Sequence, residues 1–362
     1  MLRLLALCLA LATAAPAQTL DTGAGPVTVT PMITGLDEPW ALGFLPDGGV
    51  LVTERGGRLL LHRDGTLREV AGVPRVAARG QGGLLDLLVP GDFAQTRTLF
   101  FTYSRPQPDG AGTAVARARL SSDATRLEDW QVIFELPPGS SGGRHFGSRL
   151  VEGADGTLYA TIGDRGERPS SQDLGRENGS VIRIARDGTI PDDNPFTGTP
   201  GARPAIWSYG HRNAQGAARA PDGTIWVAEH GARGGDEVNR IRRGANYGWP
   251  VISYGRHYSG ARIGEGTHKD GMEQPEFHWD PSIAPSGMMI YSGALWPEWR
   301  GHIFVGSLKF GLISRLAGTP LREAERIESP ETGRVRDIRE APDGAIWFLS
   351  VIDGTAYRLT PG

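Results

Sequence analysis

The chain has almost no sulfur chemistry. Cys8 is its only cysteine, and it sits in an apolar stretch, Leu4 to Ala14, between the positive Arg3 and Ala15-Pro16-Ala17. That order predicts a secretory signal peptide over residues 1–17, cleaved before Gln18. The apolar stretch is well short of the ~20 residues a membrane helix needs. Leu7 before the cysteine is a poor lipobox residue, so no lipid anchor is expected. Loss of the leader removes the only thiol and excludes a disulfide frame, a thiolate metal site and a cysteine nucleophile. The expected location is the periplasm or the exterior.

Lysine is scarce too. Lys269 and Lys309 are the only lysines among 38 basic residues. One arginine here therefore says little about a site, and a lysine says slightly more. The net charge of -3, with no long basic run, gives no reason to expect nucleic acid or a membrane surface as partner. No H-E-x-x-H pair or EF-hand loop occurs, which removes the common zinc and calcium signatures. No segment has persuasive amphipathic helical periodicity.

What the chain has is turns. Its 52 glycines and 26 prolines are spread evenly. A turn-then-strand phrase recurs. Leu45-Pro46-Asp47-Gly48-Gly49 leads into Val50-Leu51-Val52, and Gly153-Ala154-Asp155-Gly156-Thr157 into Leu158 to Ile162. Ala220-Pro221-Asp222-Gly223-Thr224 leads into Ile225 to Ala228, and Ala341-Pro342-Asp343-Gly344-Ala345 into Ile346 to Leu349. Degenerate copies precede Leu99 to Thr102 and His302 to Val305. Asp-Gly supplies the positive φ of a tight turn, and the apolar run after it reads as a buried strand. Six such strands predict an all-β, six-bladed β-propeller with four antiparallel strands per blade, built as one domain over residues 18–362. A β-sandwich is the structural alternative. In a propeller, loops distant in sequence meet at one end of the central channel.

Four segments carry candidate chemistry. His145 lies in Gly142-Gly143-Arg144-His145-Phe146-Gly147-Ser148-Arg149-Leu150, and the next strand ends in Thr161-Ile162-Gly163-Asp164. A strand between the two loops would bring Asp164 to His145, fixing one ring nitrogen and leaving the other as a base. The plainer reading is a loop histidine and a turn aspartate. Trp207 to Gly216 contains Gly210-His211-Arg212-Asn213, a guanidinium and an amide suited to an oxygen-rich anion, or simply a polar turn. Glu229 to Asn239 and Gly244 to Pro250 combine glycines with carboxylates, as an irregular calcium site requires. Lys309, Arg334 and Arg336 add positive charge, and the period-two spacing of the two arginines predicts that they share one strand face. A solvated face would look the same. Gly139-Ser140-Ser141-Gly142-Gly143 matches G-x-S-x-G by coincidence, because Pro137-Pro138 and a glycine-rich loop surround it where a strand and a helix are required.

Taken in order over nearly the whole mature chain, these segments resemble the soluble aldose dehydrogenases of the glucose/sorbosone dehydrogenase family. The phrases are Gly80-Gln81-Gly82-Gly83, the His145 H-x-x-x-R-L run, Thr161 to Asp164, Gly210 to Asn213, Glu229 to Pro250, Gly306 to Lys309, and Arg334 to Arg336. The G-H-R-N and D-E-V-N…N-Y-G-W-P phrases in series are the most specific. The resemblance implies a quinoprotein that binds pyrroloquinoline quinone (PQQ) and Ca2+ and oxidises the C1 hydroxyl of aldose sugars, with an external electron acceptor. It implies His145, Asp164 and Arg212 as catalytic. It implies Gln81, Arg212, Asn213, Tyr258, Ser307, Leu308, Lys309, Arg334 and Arg336 as quinone contacts. Carbonyls of Gly231 and Ala232 would hold one calcium; Glu237 and the Tyr247 carbonyl would hold another. A monomer or homodimer is expected. A calcium-dependent propeller hydrolase, such as a lactonase, and a non-catalytic binding propeller are the rivals. Neither needs a cationic cluster for a tricarboxylate.

Overall fold

The computed structural model describes residues 18–362, so the leader assigned to residues 1–17 lies outside the described residues. Strands dominate: the described residues contain one four-residue α-helix, Phe93–Thr96, and three short 3-10 turns. None of their helices is long and apolar enough to cross a membrane.

The strands form six antiparallel sheets arranged as the blades of a propeller. The innermost strands are Pro39–Phe44, Leu84–Leu88, Gly147–Glu152, Ala214–Arg219, Pro285–Ile290 and Val335–Glu340, each packed against the innermost strands of both neighbouring blades. The six strands singled out by the turn phrase are all second strands of their blades, such as Val50–Glu54 and Ile346–Ser350. The reason is local. In the four Asp-Gly copies the glycine has φ of 78 to 86°. Its N–H donates to the carbonyl three residues back, as from Gly48 to Leu45 at 3.0 Å and from Gly344 to Ala341 at 2.8 Å. Such a turn joins a first strand to a second.

Ring closure uses both ends of the described chain. Gly25–Ile33 pairs antiparallel with Thr355–Pro361, register Val27↔Pro361, and completes the sixth blade. Gln18–Thr22 folds back on it as a fifth, outer strand, one more than four per blade. Apolar side chains gather between blades. Phe100 and Val115 of the second blade meet Leu150, Leu158 and Ile182 of the third, and Phe304 and Ile313 of the fifth meet Ile338 and Phe348 of the sixth. Each such buried side chain contributes about 1.5–3 kcal/mol. A blade alone would leave these faces wet, so the ring is the folding unit.

The channel is tied together by one guanidinium. Arg149, 1% exposed, pairs with Asp86 at 3.2 Å and Asp337 at 2.9 Å. It donates to the carbonyls of Gln215 and Arg336 at 2.6 and 3.0 Å and stands 4.2 Å from the Trp40 ring centroid. Arg339 pairs with the same two carboxylates at 2.7 and 3.0 Å. Five of the six innermost blade edges thus meet at Arg149.

Candidate active site

His145 sits immediately before the innermost strand of the third blade with φ +53°. Its backbone N–H donates to Gln81 Oε1 at 2.6 Å, and the next glycine, Gly147, donates to Asn213 Oδ1 at 3.0 Å. Gln81 and Asn213 therefore fix the loop that carries the imidazole. The strand Leu158–Ile162 runs back and delivers Asp164. Glycine is required at Gly163, where a Cβ would lie 2.0 Å from the His145 carbonyl oxygen. His145 Nδ1 and Asp164 Oδ1 are 2.6 Å apart. Asp164 Oδ1 also accepts from the Gly166 N–H at 2.7 Å, and Oδ2 accepts from Trp249 Nε1 at 2.9 Å. With its Nδ1 proton on the carboxylate, the neutral ring keeps the Nε2 lone pair.

The electrostatics favour that form. Burial, aided by the Arg212 and Arg144 charges, pushes the His145 pKa below the usual histidine value against the pull of Asp164. Burial opposes ionisation of Asp164, but its bonds to His145 and Gly166 and the Arg212 charge hold its carboxyl below the usual range.

A cavity of about 710 Å³ opens beside His145. Six cations line it: Arg55, Arg212, Arg233, Lys309, Arg334 and Arg336. Its wall holds one carboxylate, Glu38, already paired with Arg55. Arg212 is buried, anchored by its N–H to Glu229 Oε2 at 2.8 Å, with its guanidinium 5.4 Å from the Trp249 ring. Its Nε has no protein partner among the described residues. Arg336 donates to Gln215 Oε1 at 2.8 Å, and burial with the nearby Arg149 and Arg334 charges pushes its pKa down to about 9. The bonds of Arg212 and Arg336 to protein leave them short of negative charge, the condition a bound polyanion relieves.

Most residues singled out in the sequence reach this wall. His145, Arg212, Asn213, Gln81, Tyr258, Leu308, Lys309, Arg334, Arg336 and Gly231 all line it. Tyr258 stands at its rim, 73% exposed. Two do not line it. Ser307 is buried, its hydroxyl bonded to the Ile283 carbonyl at 2.7 Å. Ala232 is buried behind the wall, and its carbonyl accepts from the Arg256 N–H at 2.8 Å. Arg334 and Arg336 reach one cavity, though not by strand alternation: Arg334 precedes the strand in a left-handed turn, φ +52°, with its guanidinium on the Leu308 carbonyl at 3.0 Å.

Behind Arg212 lies a small recess of about 10 Å³, lined by Glu229, Glu237, Tyr247 and Gly235 among others. It suits one water-sized or ion-sized occupant. Burial and the Glu229 charge push the Glu237 pKa up to about 8. Asn239 Oδ1 beside it is buried without a partner. No group of three His, Asp or Glu side chains forms a metal-ligating cluster among the described residues. A hard cation here would draw on two carboxylates plus carbonyl oxygens, a donor set calcium accepts. The loop supplies such oxygens: a Cβ on Gly231 would lie 2.1 and 2.2 Å from the Gly234 and Gly235 carbonyls.

Sequence reasoning missed several wall residues. His230 lines the cavity with Nε2 buried and unpartnered, and burial with the Arg212 and Arg336 charges pushes its pKa down to about 3. Its position one residue before Gly231 was the available signal. Trp40, Arg55 and Arg233 gave none.

Fold and site together define a propeller enzyme whose histidine–aspartate pair opens on a cavity lined by six cations. The chain belongs to the glucose/sorbosone dehydrogenase family, whose model matches residues 36–358. It is 44% identical over 336 residues to the aldose sugar dehydrogenase YliI of Escherichia coli, covering 90% of this chain and 91% of that protein. The apo crystal structure of the soluble aldose sugar dehydrogenase from E. coli superposes with TM-score 0.89 at 42% identity, over 93% of this chain and all of that one. The PQQ-bound aldose sugar dehydrogenase of Streptomyces coelicolor superposes with TM-score 0.76 at 26% identity, over 92% and 98% of the two chains.

Proposed function

We propose that the protein is an exported quinoprotein that oxidises the C1 hydroxyl of aldose sugars to lactones. The observation that carries this reading is the six-cation, one-carboxylate wall beside the His145–Asp164 pair. Bound PQQ supplies an electrophilic carbonyl carbon for the C1 hydride, and calcium supplies Lewis-acid polarisation of that carbonyl. The protein's own groups do the rest. His145 Nε2 takes the proton of the sugar hydroxyl while Asp164 holds the ring in place and balances the imidazolium. Lys309, Arg334 and Arg336 meet cofactor carboxylates. Arg212 would supply a guanidinium donor to the polarised carbonyl oxygen. Gln81, Asn213, Tyr258 and the Ser307–Leu308 backbone complete the quinone site. Carbonyls of Gly231 and Ala232 would hold the calcium next to it, and Glu237 with the Tyr247 carbonyl a structural one. An external acceptor would be needed to complete the turnover.

The test is a titration of cofactor-free protein with PQQ and calcium, followed by dye-linked oxidation across a panel of aldoses. Saturable quinone uptake with sugar-dependent dye reduction is expected. No uptake would overturn the reading. Uptake with lactone hydrolysis but no dye reduction would replace it with the hydrolase.

A further inference from the structure

Trp249 joins parts of the site that the proposed roles treat separately. Its indole N–H donates to Asp164 Oδ2 at 2.9 Å in a buried position, 85 residues away along the chain. His145 and the Gly166 N–H occupy the other carboxylate oxygen. The carboxylate is thus held at both ends, and its plane cannot turn without breaking a bond. The indole ring lies 5.4 Å from the Arg212 guanidinium and 5.2 Å from that of Arg168. It also packs with Ala232 and Ile263 in a small buried cluster. Its backbone is fixed as well: its N–H donates to the Gly210 carbonyl at 2.8 Å, and its carbonyl accepts from Gln172 Nε2 at 2.8 Å.

We infer that Trp249 is a positioning residue for the reaction: its indole N–H sets the orientation and basicity of Asp164, and through Asp164 those of His145. An indole N–H can only donate, so it favours the ionised carboxylate in one rotamer. Without that donor, Oδ2 would be buried and unpaired. The carboxylate could then rotate away from His145, and its charge would fall more heavily on the remaining bond to the ring. Two effects follow. Fewer imidazoles point Nε2 at the cavity, which lowers kcat. Those that remain paired hold a proton more tightly, which moves the acid limb of the pH–kcat profile upward. The inference rests on the dehydrogenase reading for its kinetic part only.

Trp249→Phe removes the donor and keeps an aromatic ring against Arg212 and Ala232. In the PQQ- and calcium-loaded protein we expect kcat to fall about tenfold, the size of one hydrogen bond to a charged group. The sugar KM and the PQQ dissociation constant should stay within twofold, and the acid limb should move up. Unchanged kcat and acid limb would overturn the inference, as would a lost cofactor affinity that accounts for the whole defect. A second measurement needs neither turnover nor a folded Trp249 variant. In cofactor-free protein labelled with ¹⁵N-tryptophan, Asp164→Asn should shift one indole N–H resonance strongly, because a charged acceptor becomes neutral. If none moves, the bond does not exist and the inference falls. Absence of sugar-dependent dye reduction by the unmodified protein would defeat the dehydrogenase reading instead, and leave the resonance measurement standing.

Discussion

Asn239 stands between Glu229 and Glu237: its Nδ2 donates to Glu229 Oε1 at 3.0 Å and to Glu237 Oε2 at 3.1 Å. One amide cannot balance two buried carboxylates. His211 Nδ1 at 2.8 Å helps Glu229, and Glu237 is left as the group with the raised pKa. The proposed structural calcium would relieve that imbalance. Glu237→Gln should be neutral or stabilising in calcium-free protein, because it removes a buried like-charge contact. With calcium the order should reverse. At about 100 times its dissociation constant, a ligand of the native state adds about 2.7 kcal/mol. The unmodified protein should therefore gain a few degrees in Tm on calcium addition and lose them to EDTA, and the variant should respond much less. Thermal melts with and without calcium decide it, and an equal gain in both proteins would remove Glu237 from the ligand set.

The His145 environment sets a pH range. A base works when deprotonated, so a depressed pKa extends its working range downward. The imidazole resonances of cofactor-free protein should show His145 titrating below an ordinary, solvent-exposed histidine. A titration at or above that of such a histidine would mean that Asp164, and not burial with Arg212, dominates the ring. His145→Ala should depress kcat about 10²–10⁴-fold while sparing PQQ uptake. Intact turnover would place the base elsewhere.

The cationic wall predicts a ranking. Arg336 is half-buried and shares its surroundings with Arg149 and Arg334, whereas Lys309 is exposed. Charge–charge attraction is stronger where water is excluded and weaker where solvent and salt screen it. Arg336→Ala should weaken PQQ binding about 10–100-fold, the loss of one charge-assisted contact. Lys309→Ala should cost a few-fold at most, and less as salt rises. Equilibrium titrations monitored by quinone absorbance would show this; equal, salt-independent losses would contradict it.

Part of this molecule is legible in its sequence because the signals are local. Asp-Gly turns mark second strands since positive φ and a short loop are properties of a few adjacent residues. The His145–Asp164 pair needs a hairpin where the sequence suggests a single strand between two loops: Gly147–Glu152 runs out, Leu158–Ile162 runs back, and Gly147 pairs with Ile162, so both residues stand at one end. Other features depend on who meets whom across the ring. Arg149 enters the sequence only as part of the His145 H-x-x-x-R-L run, with no hint of its partners, and only closure brings Asp86 and Asp337 to it from other blades. Trp249 reads as an apolar core residue until its N–H is found on a carboxylate from another blade. Arg334 and Arg336 show the reverse case: the shared destination is right, but a left-handed turn delivers Arg334 where strand alternation was expected. The fifth strand of the last blade, Gln18–Thr22, carries no periodic signal distinct from a leader's polar flank.

The channel quartet supplies the last prediction. Asp86, Asp337, Arg149 and Arg339 balance two charges against two, and Asp86 and Asp337 also accept from the backbone N–H groups of Leu150 and Leu42 at 2.8 and 3.0 Å. The set is worth little as pure attraction, because burying four charges costs nearly what their pairing returns. Breaking it is another matter. Asp86→Asn would leave Arg149 and Arg339 sharing one carboxylate, with a net positive charge beside the buried Arg149. Such a lesion costs about 3–5 kcal/mol. Lys269→Ala breaks an exposed pair with Glu265 at 2.9 Å and should cost under about 1 kcal/mol. Denaturant midpoints at constant m-value compare the two. If Asp86→Asn costs no more than Lys269→Ala, the quartet does not hold the blades together, and the apolar seams between them carry the closure alone.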